Sequence, residues 1–357
     1  MNELKVLFHG QTDIGKKREN NEDTFIAEYI WDKRHILLVV IDGMGGEEGG
    51  EIAANIARNT IIKYLKEFQD DTVLNLIKRA VADANNEIIR QKEVQPQLNR
   101  MGCVATAGII DLDEETLSIA HVGDTRLYRY SGGELTKLTH DHSLVGYQEE
   151  QGVLTEEQAM KHPRRSVIER CLGSDRHLAD DKYFIEGSIF PLISGEIFLF
   201  CSDGLCDMLL SKEILDTLLK DETPETECSE LIEKANQKGG KDNITVVIAQ
   251  VVQCEGERKV SHTLKDEIIK ENNSIAENEP GFRWKQAVIS LIILVIIAFL
   301  GLYFNTHDKS YGTKTEPTII HKELPNRETT PIDTLIPQFN ENADTGKVSG
   351  FDNDEHE

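Results

Sequence analysis

The chain lacks any C-x-x-C pair: its six cysteines, at 103, 171, 201, 206, 228 and 254, are scattered. For that reason zinc is not expected. Scattered cysteines in a core-forming chain instead read as reduced, mostly buried thiols of a cytosolic compartment. Positive charge is also scarce. Against 63 Asp and Glu stand 39 Lys and Arg, a formal charge of −24. Duplex binding draws its affinity from Lys and Arg on phosphates, so nucleic acid is excluded as a partner. The opening residues MNELKVLFHG carry no basic-then-apolar signal region, so no export is expected. There is no internal repeat. Long apolar runs are nearly absent too, with a single one of 18 residues at 287–304.

The remainder is organised around HILLVVIDGMGGEEGGEIAA, residues 35–54. Ile36 to Ile41 is an unbroken, β-branched apolar run and predicts a buried strand. Asp42-Gly43 ends it, a glycine-rich turn follows, and a helical pattern begins at Glu51. Earlier, strands are expected at 4–9 and 24–29, with a polar turn over 11–23. Helical spacing covers 51–68 and 72–92, and a polar loop 95–100. Closely spaced strands follow at 104–110, 116–121, 126–130 and 135–138, with turn residues between them. Short turns imply antiparallel pairing. Residues 140–181 read as a mixed, polar insertion. Strands at 183–190 and 196–202, helices at 212–220 and 224–238, and a closing strand at 244–252 complete the pattern. The expected fold class is α+β: a four-layer sandwich with two central antiparallel sheets flanked by helices.

Acidic turns recur at strand boundaries. They are 18–23 (RENNED), Asp42-Gly43, Gly123-Asp124, Ser202-Asp203-Gly204 and Lys241-Asp242-Asn243. If those strand ends meet, the carboxylates form one cleft and repel each other. Divalent cations are the usual remedy, and oxygen-only donors select Mg²⁺ or Mn²⁺. Bound metal would also supply the positive charge that a phosphate substrate needs and this chain lacks. Taken singly, these residues read blandly. Arg18 is a surface charge, and Asp203 a turn residue or helix cap. His121 reads as a strand residue, and one of His140 and His142 as a loop cap. Arg164 and Arg165 read as a solvated pair or as contacts for acidic or phosphorylated partners.

Together the pieces TDIGKKRENNEDTF (12–25), VVIDGMGGEEGGEIAA (39–54), MGCVATAGII (101–110), AHVGDTRLYRY (120–130), LTHDHSLV (138–145), SDGLCD (202–207) and KDNITVVI (241–248) resemble, in order and spacing, a known family. It is that of the metal-dependent Ser/Thr protein phosphatases of the protein phosphatase 2C (PPM) type, in bacterial form. The resemblance covers about the first 250 residues. It implies that Asp42, Asp203 and Asp242 hold two core Mn²⁺ or Mg²⁺ ions, with Asp42 bridging and the Gly43 carbonyl on the second. It implies that Glu22 and Asp23 hold metal-bound waters, that Arg18 clamps the substrate phosphate, and that Asp124 with Asp203 holds a weaker third ion. Asp207 and Asn243 would support the cluster, and the insertion at about 141–181 would be the flap beside the cleft. Met44 stands where the bacterial form usually has Met. Two divalent ions about 3.5–4 Å apart lower the pKa of a shared water, and a planar guanidinium matches phosphate. The implied activity is hydrolysis of phosphoserine and phosphothreonine in phosphoproteins, opposing a Ser/Thr kinase, by a monomer. A catalytically silent, membrane-tethered phosphoprotein-binding relative is the alternative, against which Arg18, Asp23, Asp42, Asp203 and Asp242 are all intact. A membrane-tethered scaffold working through its acidic tail is a third reading, which leaves those residues unexplained.

Beyond the phosphatase-like domain, residues 1–254, a polar linker is expected over 255–283. Residues 287–304 are expected to cross a membrane once: at about 1.5 Å per residue they reach roughly 27 Å, near a bilayer core. Trp284, Tyr303 and Phe304 stand where interfacial aromatics would. Arg283 and Lys285 flank one end and Lys309 and Lys314 lie beyond the other, so basic residues do not set the orientation. The expectation places the catalytic domain in the cytoplasm and the acidic tail, 305–357, disordered on the other side.

Overall fold

The computed structural model describes residues 3–45 and 49–253. The linker, membrane span and tail expected beyond residue 254 lie outside the described residues. Among the described residues, no helix is long and apolar enough to cross a membrane.

The described residues form ten strands and seven α-helices, in the order β1 (Leu4–Asp13), β2 (Thr24–Tyr29), β3 (His35–Met44), α1 (Gly49–Glu67), α2 (Val73–Val94), β4 (Gly102–Asp111), β5 (Thr116–Val122), β6 (Arg126–Ser131), β7 (Glu134–Lys137), α3 (Leu144–Glu150), α4 (Glu156–Met160), β8 (Glu186–Pro191), β9 (Ile197–Cys201), α5 (Asp203–Cys206), α6 (Ser211–Leu218), α7 (Pro224–Gln237) and β10 (Ile244–Gln253). They form two five-stranded sheets, ordered β1-β10-β9-β6-β7 and β2-β3-β4-β5-β8. Every pairing is antiparallel.

The unbroken apolar run in β3 has a direct explanation. Ile36, Leu38 and Val40 face the layer between the sheets, where Phe198, Phe200, Val247 and Ala249 meet them. Leu37, Val39 and Ile41 face the other way, onto Ala54, Ala57 and Ile61 of α1 and Ala80 of α2. Period-two alternation sends successive residues to opposite faces, and here both faces are covered. β10 behaves alike in the other sheet. Val247, Ala249 and Val251 point between the sheets, while Ile244, Val246 and Ile248 pack under Leu205, Ile214 and Leu231. Three apolar layers between four structural layers make an α+β sandwich.

Helix ends follow local chemistry. Thr72 accepts from the Asn75 N–H at the start of α2, and Thr223 caps α7 with Pro224 at its first position. Thr155 and Gln158 form a reciprocal capping box on α4.

Three boundaries differ from expectation. β1 runs on through the polar stretch to Asp13, because β10 supplies partners as far as Asp13↔Ile244. β3 continues past Asp42 to Met44, held by β4 at Met44↔Gly102. Tyr183–Ile185 is not strand: Asp181 caps that turn through the Tyr183 N–H, and β8 starts at Glu186. The insertion at about 141–181, expected as the flap, carries α3 and α4 and is fastened by two isolated bridges, Ser143↔Ile168 and Cys103↔Leu172.

Candidate metal centre

Antiparallel register decides where the acidic turns go. β2 begins where β3 ends, at Thr24↔Ile41. β4 begins beside that same end, and β5 ends beside it at Ala105↔Val122. In the other sheet β1 ends against the start of β10 at Asp13↔Ile244, and β9 ends two positions further along β10 at Val246↔Cys201. Asp23, Asp42, Asp124, Asp203 and Asp242 each sit at one of these termini. They therefore collect at one edge of the sandwich. A cleft of about 450 Å³ opens there, lined by Arg18, Glu22, Asp42, Gly43, Asp124, Asp203 and Asp242, with Met44 and the flap residues Ser166 and Ile168 on its walls.

The backbone at this edge is tight. A Cβ on Gly43 would stand 2.3 Å from the Gly50 carbonyl oxygen and 2.5 Å from that of Glu22. One on Gly204 would stand 1.9 Å from the Asn243 carbonyl oxygen. Glycine follows the aspartate in both turns because no side chain fits.

Asn243 locks the first turn: its Oδ1 accepts from the Glu22 N–H at 2.8 Å, and its Nδ2 donates to the Ile14 and Asn20 carbonyls at 3.0 Å each. Thr245 donates to Asp23 Oδ2 at 2.6 Å and lies 2.7 Å from the Thr12 hydroxyl. Arg18 donates to Asp242 Oδ2 at 2.8 Å and lies 3.7 Å from Glu22 Oε2, with nearly half its side chain exposed to the cleft. Asp207, on the turn closing α5, meets the Arg165 guanidinium, which also donates to Asp203 Oδ2 at 2.7 Å.

The electrostatics are those of a site short of positive charge. Loss of solvation pushes Asp42 and Asp124 well above the ordinary carboxylate value, and their acidic neighbours add to it. Burial raises Asp23 to about 7 despite the Thr245 hydrogen bond. Asp203 is raised by burial even with Arg165 beside it. Glu22 is raised by burial, and its Oε1, enclosed near Gly50, meets no donor in hydrogen-bonding geometry. Such a set destabilises itself unless protons or cations are bound. The donors are all oxygens, several are anionic, and one is orphaned. They fit a hard divalent ion and do not fit a soft one.

All ten residues singled out from the sequence reach this edge: Arg18, Glu22, Asp23, Asp42, Gly43, Asp124, Asp203, Asp207, Asp242 and Asn243. His121, His140 and His142 do not line the cleft. His121 is a buried β5 residue, and the His142 ring accepts from the Gly123 N–H. Arg165 does reach the carboxylates, which its neighbourhood in the sequence did not signal. Two adjacent arginines in a loop carry no periodicity, so nothing local says which one turns inward.

Residues 12–237 match the protein-family description "Protein phosphatase 2C". The serine/threonine phosphatase stp of Listeria innocua is 32% identical over 244 residues, 67% of this chain and 94% of that one. Protein phosphatase PhpP of Streptococcus pneumoniae is 32% identical over 249 residues, 69% of this chain and 98% of that one. The crystal structure of the Mycobacterium tuberculosis serine/threonine phosphatase PstP/Ppp superposes with a TM-score of 0.61 at 32% identity, over 69% of this chain and 99% of that one. The catalytic domain of PstP in complex with two manganese ions superposes with a TM-score of 0.60 at 31% identity, over 70% of this chain and 99% of that one. Agreement of that extent, over a sandwich whose strand ends gather these carboxylates, makes this chain a member of the protein phosphatase 2C family.

Proposed function

We propose that the domain within residues 1–254 hydrolyses phosphoserine and phosphothreonine esters in phosphoproteins, using two Mn²⁺ or Mg²⁺ ions and a weaker third. The carrying observation is the gathering of Asp42, Asp203 and Asp242 at one edge, with Arg18 facing the cleft they line. Asp42, Asp203, Asp242 and the Gly43 carbonyl would hold the core ions. Glu22 and Asp23 would hold water around them, and Asp124 with Asp203 the third ion. Bound divalent ions supply an acidified water and positive charge against phosphoryl oxygens. The chain's own residues do the rest. Arg18 presents a planar fork that binds and orients the phosphate. Asn243 and Thr245 keep the first turn and Asp23 in place. Met44, Ser166 and Ile168 shape the wall against which the peptide lies.

The natural partners are phosphorylated proteins, among them a Ser/Thr kinase and that kinase's substrates, met by a monomer. Residues 287–304 anchor the chain in a membrane, after a linker over 255–283 and before a tail over 305–357. Five free cysteines among the described residues suit a reducing compartment and favour a cytoplasmic catalytic domain.

The activity test is phosphate release from phosphoserine and phosphothreonine peptides by the full chain. Turnover with Mn²⁺ or Mg²⁺ and none in excess EDTA is expected; full activity in EDTA refutes the proposal. Arg18→Ala should raise KM and leave calorimetric metal affinity nearly intact. Carbonate extraction and protease protection of spheroplasts test the anchor, which a carbonate-soluble full chain refutes.

A further inference from the structure

Among the described residues, two groups of metal-ligating side chains lie away from the cleft: His121, His142 and Glu186, and His35, Asp111 and Asp113. Proton accounting separates them.

The first group is satisfied by protons. His121 Nε2 faces the His140 carbonyl at 3.0 Å, so it carries the hydrogen, and Nδ1 takes one from Thr106 at 2.9 Å. His142 Nδ1 accepts from the Gly123 N–H at 3.1 Å, which leaves the proton on Nε2, towards Glu186. Neither ring has a lone pair to spare.

The second group differs. His35 opens β3 and pairs with Asp111, the last residue of β4, with Asp113 in the turn beyond. His35 Nδ1 lies 2.9 Å from Asp32 Oδ1. A carboxylate only accepts, so Nδ1 carries a proton, and in the neutral ring that can ligate a metal Nε2 presents the lone pair. Nε2 then faces Asp111 Oδ2 at 3.6 Å, outside hydrogen-bond reach. Asp111 Oδ1 is engaged by the Asp113 and Glu114 N–H groups at 2.8 and 3.0 Å, so the mostly buried carboxylate cannot turn away. Nε2 and the fixed carboxylate oxygen therefore face each other across a gap that positive charge fills, either a proton on the ring or a metal ion between them.

We propose that His35, Asp111 and Asp113 form a Zn²⁺-class site that fastens the β2–β3 turn to the β4–β5 turn, at the end of the sandwich opposite the phosphatase cleft. Bonds of about 2.1 Å in a tetrahedron put ligand atoms roughly 3.4 Å apart, close to the separation between His35 and Asp111. Asp32 behind the ring is the carboxylate–histidine–metal arrangement that fixes the tautomer. Arg34 holds Asp113 through Oδ1 at 2.9 Å and is shared with Glu3, so the group stays net negative. Asp113 is 60% exposed, which leaves an open face for water as the fourth ligand. Imidazole favours zinc over magnesium or manganese, so this site and the oxygen-only cleft select different ions. The expectation against zinc rests on cysteine spacing, and this donor set uses no cysteine.

The test uses the full chain and Co²⁺, which absorbs strongly in tetrahedral nitrogen–oxygen sites and weakly in octahedral oxygen sites. A visible band that Zn²⁺ displaces is expected in the wild type and in Asp42→Asn, where the cleft is crippled. His35→Gln should abolish the band and keep Mn²⁺-dependent phosphate release. Asp32→Asn should weaken Zn²⁺ binding about 10–100-fold. If His35→Gln does not fold, Asp113→Asn, in an exposed turn, carries the same expectation. A band that survives in the folded variant, or no band in Asp42→Asn, overturns the site.

Discussion

Two acid-rich clusters lie within reach of Asp203 and behave oppositely. At the cleft, Asp23, Asp42, Asp124 and Asp203 are all pushed up, and only Arg18 and Arg165 stand against them. At the flap base, Asp141 is just as enclosed. Yet Arg126 and Lys137 hold it below the ordinary carboxylate value against the pull of burial. Arg126 donates to Asp141 Oδ2 at 2.6 Å and to Glu149 at 2.8 Å, and Lys137 reaches Asp141 and Glu150 at 3.0 and 2.8 Å. That cluster ties β6 and β7 to α3 with cations that cannot leave. The cleft sets just Arg18 and Arg165, among the described residues, against its larger set of carboxylates and so keeps room for exchangeable cations. Burial of acid is common to both; the source of the balancing charge separates structure from chemistry.

The largest break in this contrast is Asp42→Asn. It should lower Mn²⁺-dependent turnover more than about 1,000-fold, the equivalent of some 4 kcal/mol. It should also raise the melting temperature of the metal-free protein, because one repelling charge is gone. A variant that melts lower in EDTA than the wild type would contradict the account of the cleft.

Arg126→Met is next and opposite in sign. Removing the shared cation strands Asp141 and Glu149, and should destabilise the protein by about 3–5 kcal/mol in denaturant unfolding, with or without metal. A loss confined to the metal-free protein would merge the two clusters into one.

The pH dependence sharpens the contrast. An acid whose folded pKa is raised adds stability only below its unfolded value of about 4, and loses it as pH rises through the raised value. Asp23 reaches about 7, so the metal-free protein should lose stability between about pH 4 and 7. Saturating Mn²⁺ should cancel that loss. The gap in melting temperature between Mn²⁺ and EDTA should therefore widen from pH 5 to pH 8; a constant gap speaks against it.

The smallest effect concerns Glu227, a buried acid in neither cluster. Burial raises it to about 7, Gln250 Nε2 donates to Oε2 at 3.0 Å, and Oε1 has no partner. By the same sign rule its contribution fades as pH passes 7. Glu227→Gln should thus stabilise the protein at pH 8 by about 1 kcal/mol, a rise of about 2–4 °C, and change little at pH 5. Activity with Mn²⁺ should not move.

Much of the fold was legible locally. The run Ile36–Ile41, the helical spacing after Glu51 and the turn glycines at 132–133 speak through period and punctuation, which neighbours in the chain decide. So did the acidic turns, because Asp-Gly at a strand end is a local pattern. Strand ends did not. Polar residues 10–13 and Gly43–Met44 are strand only because β10 and β4 lie beside them. Arg165 turns inward only because the flap is fastened at Cys103↔Leu172 and Ser143↔Ile168. His35 and Asp111 are 76 residues apart and face each other only through the β3–β4 register. Residue types and their order determined which carboxylates were available and which strands would form. Tertiary structure alone decided that five strand termini share one edge, which cations stay fixed there, and which lone pairs are left facing each other, because pairing across a sheet brings together groups that no local periodicity relates.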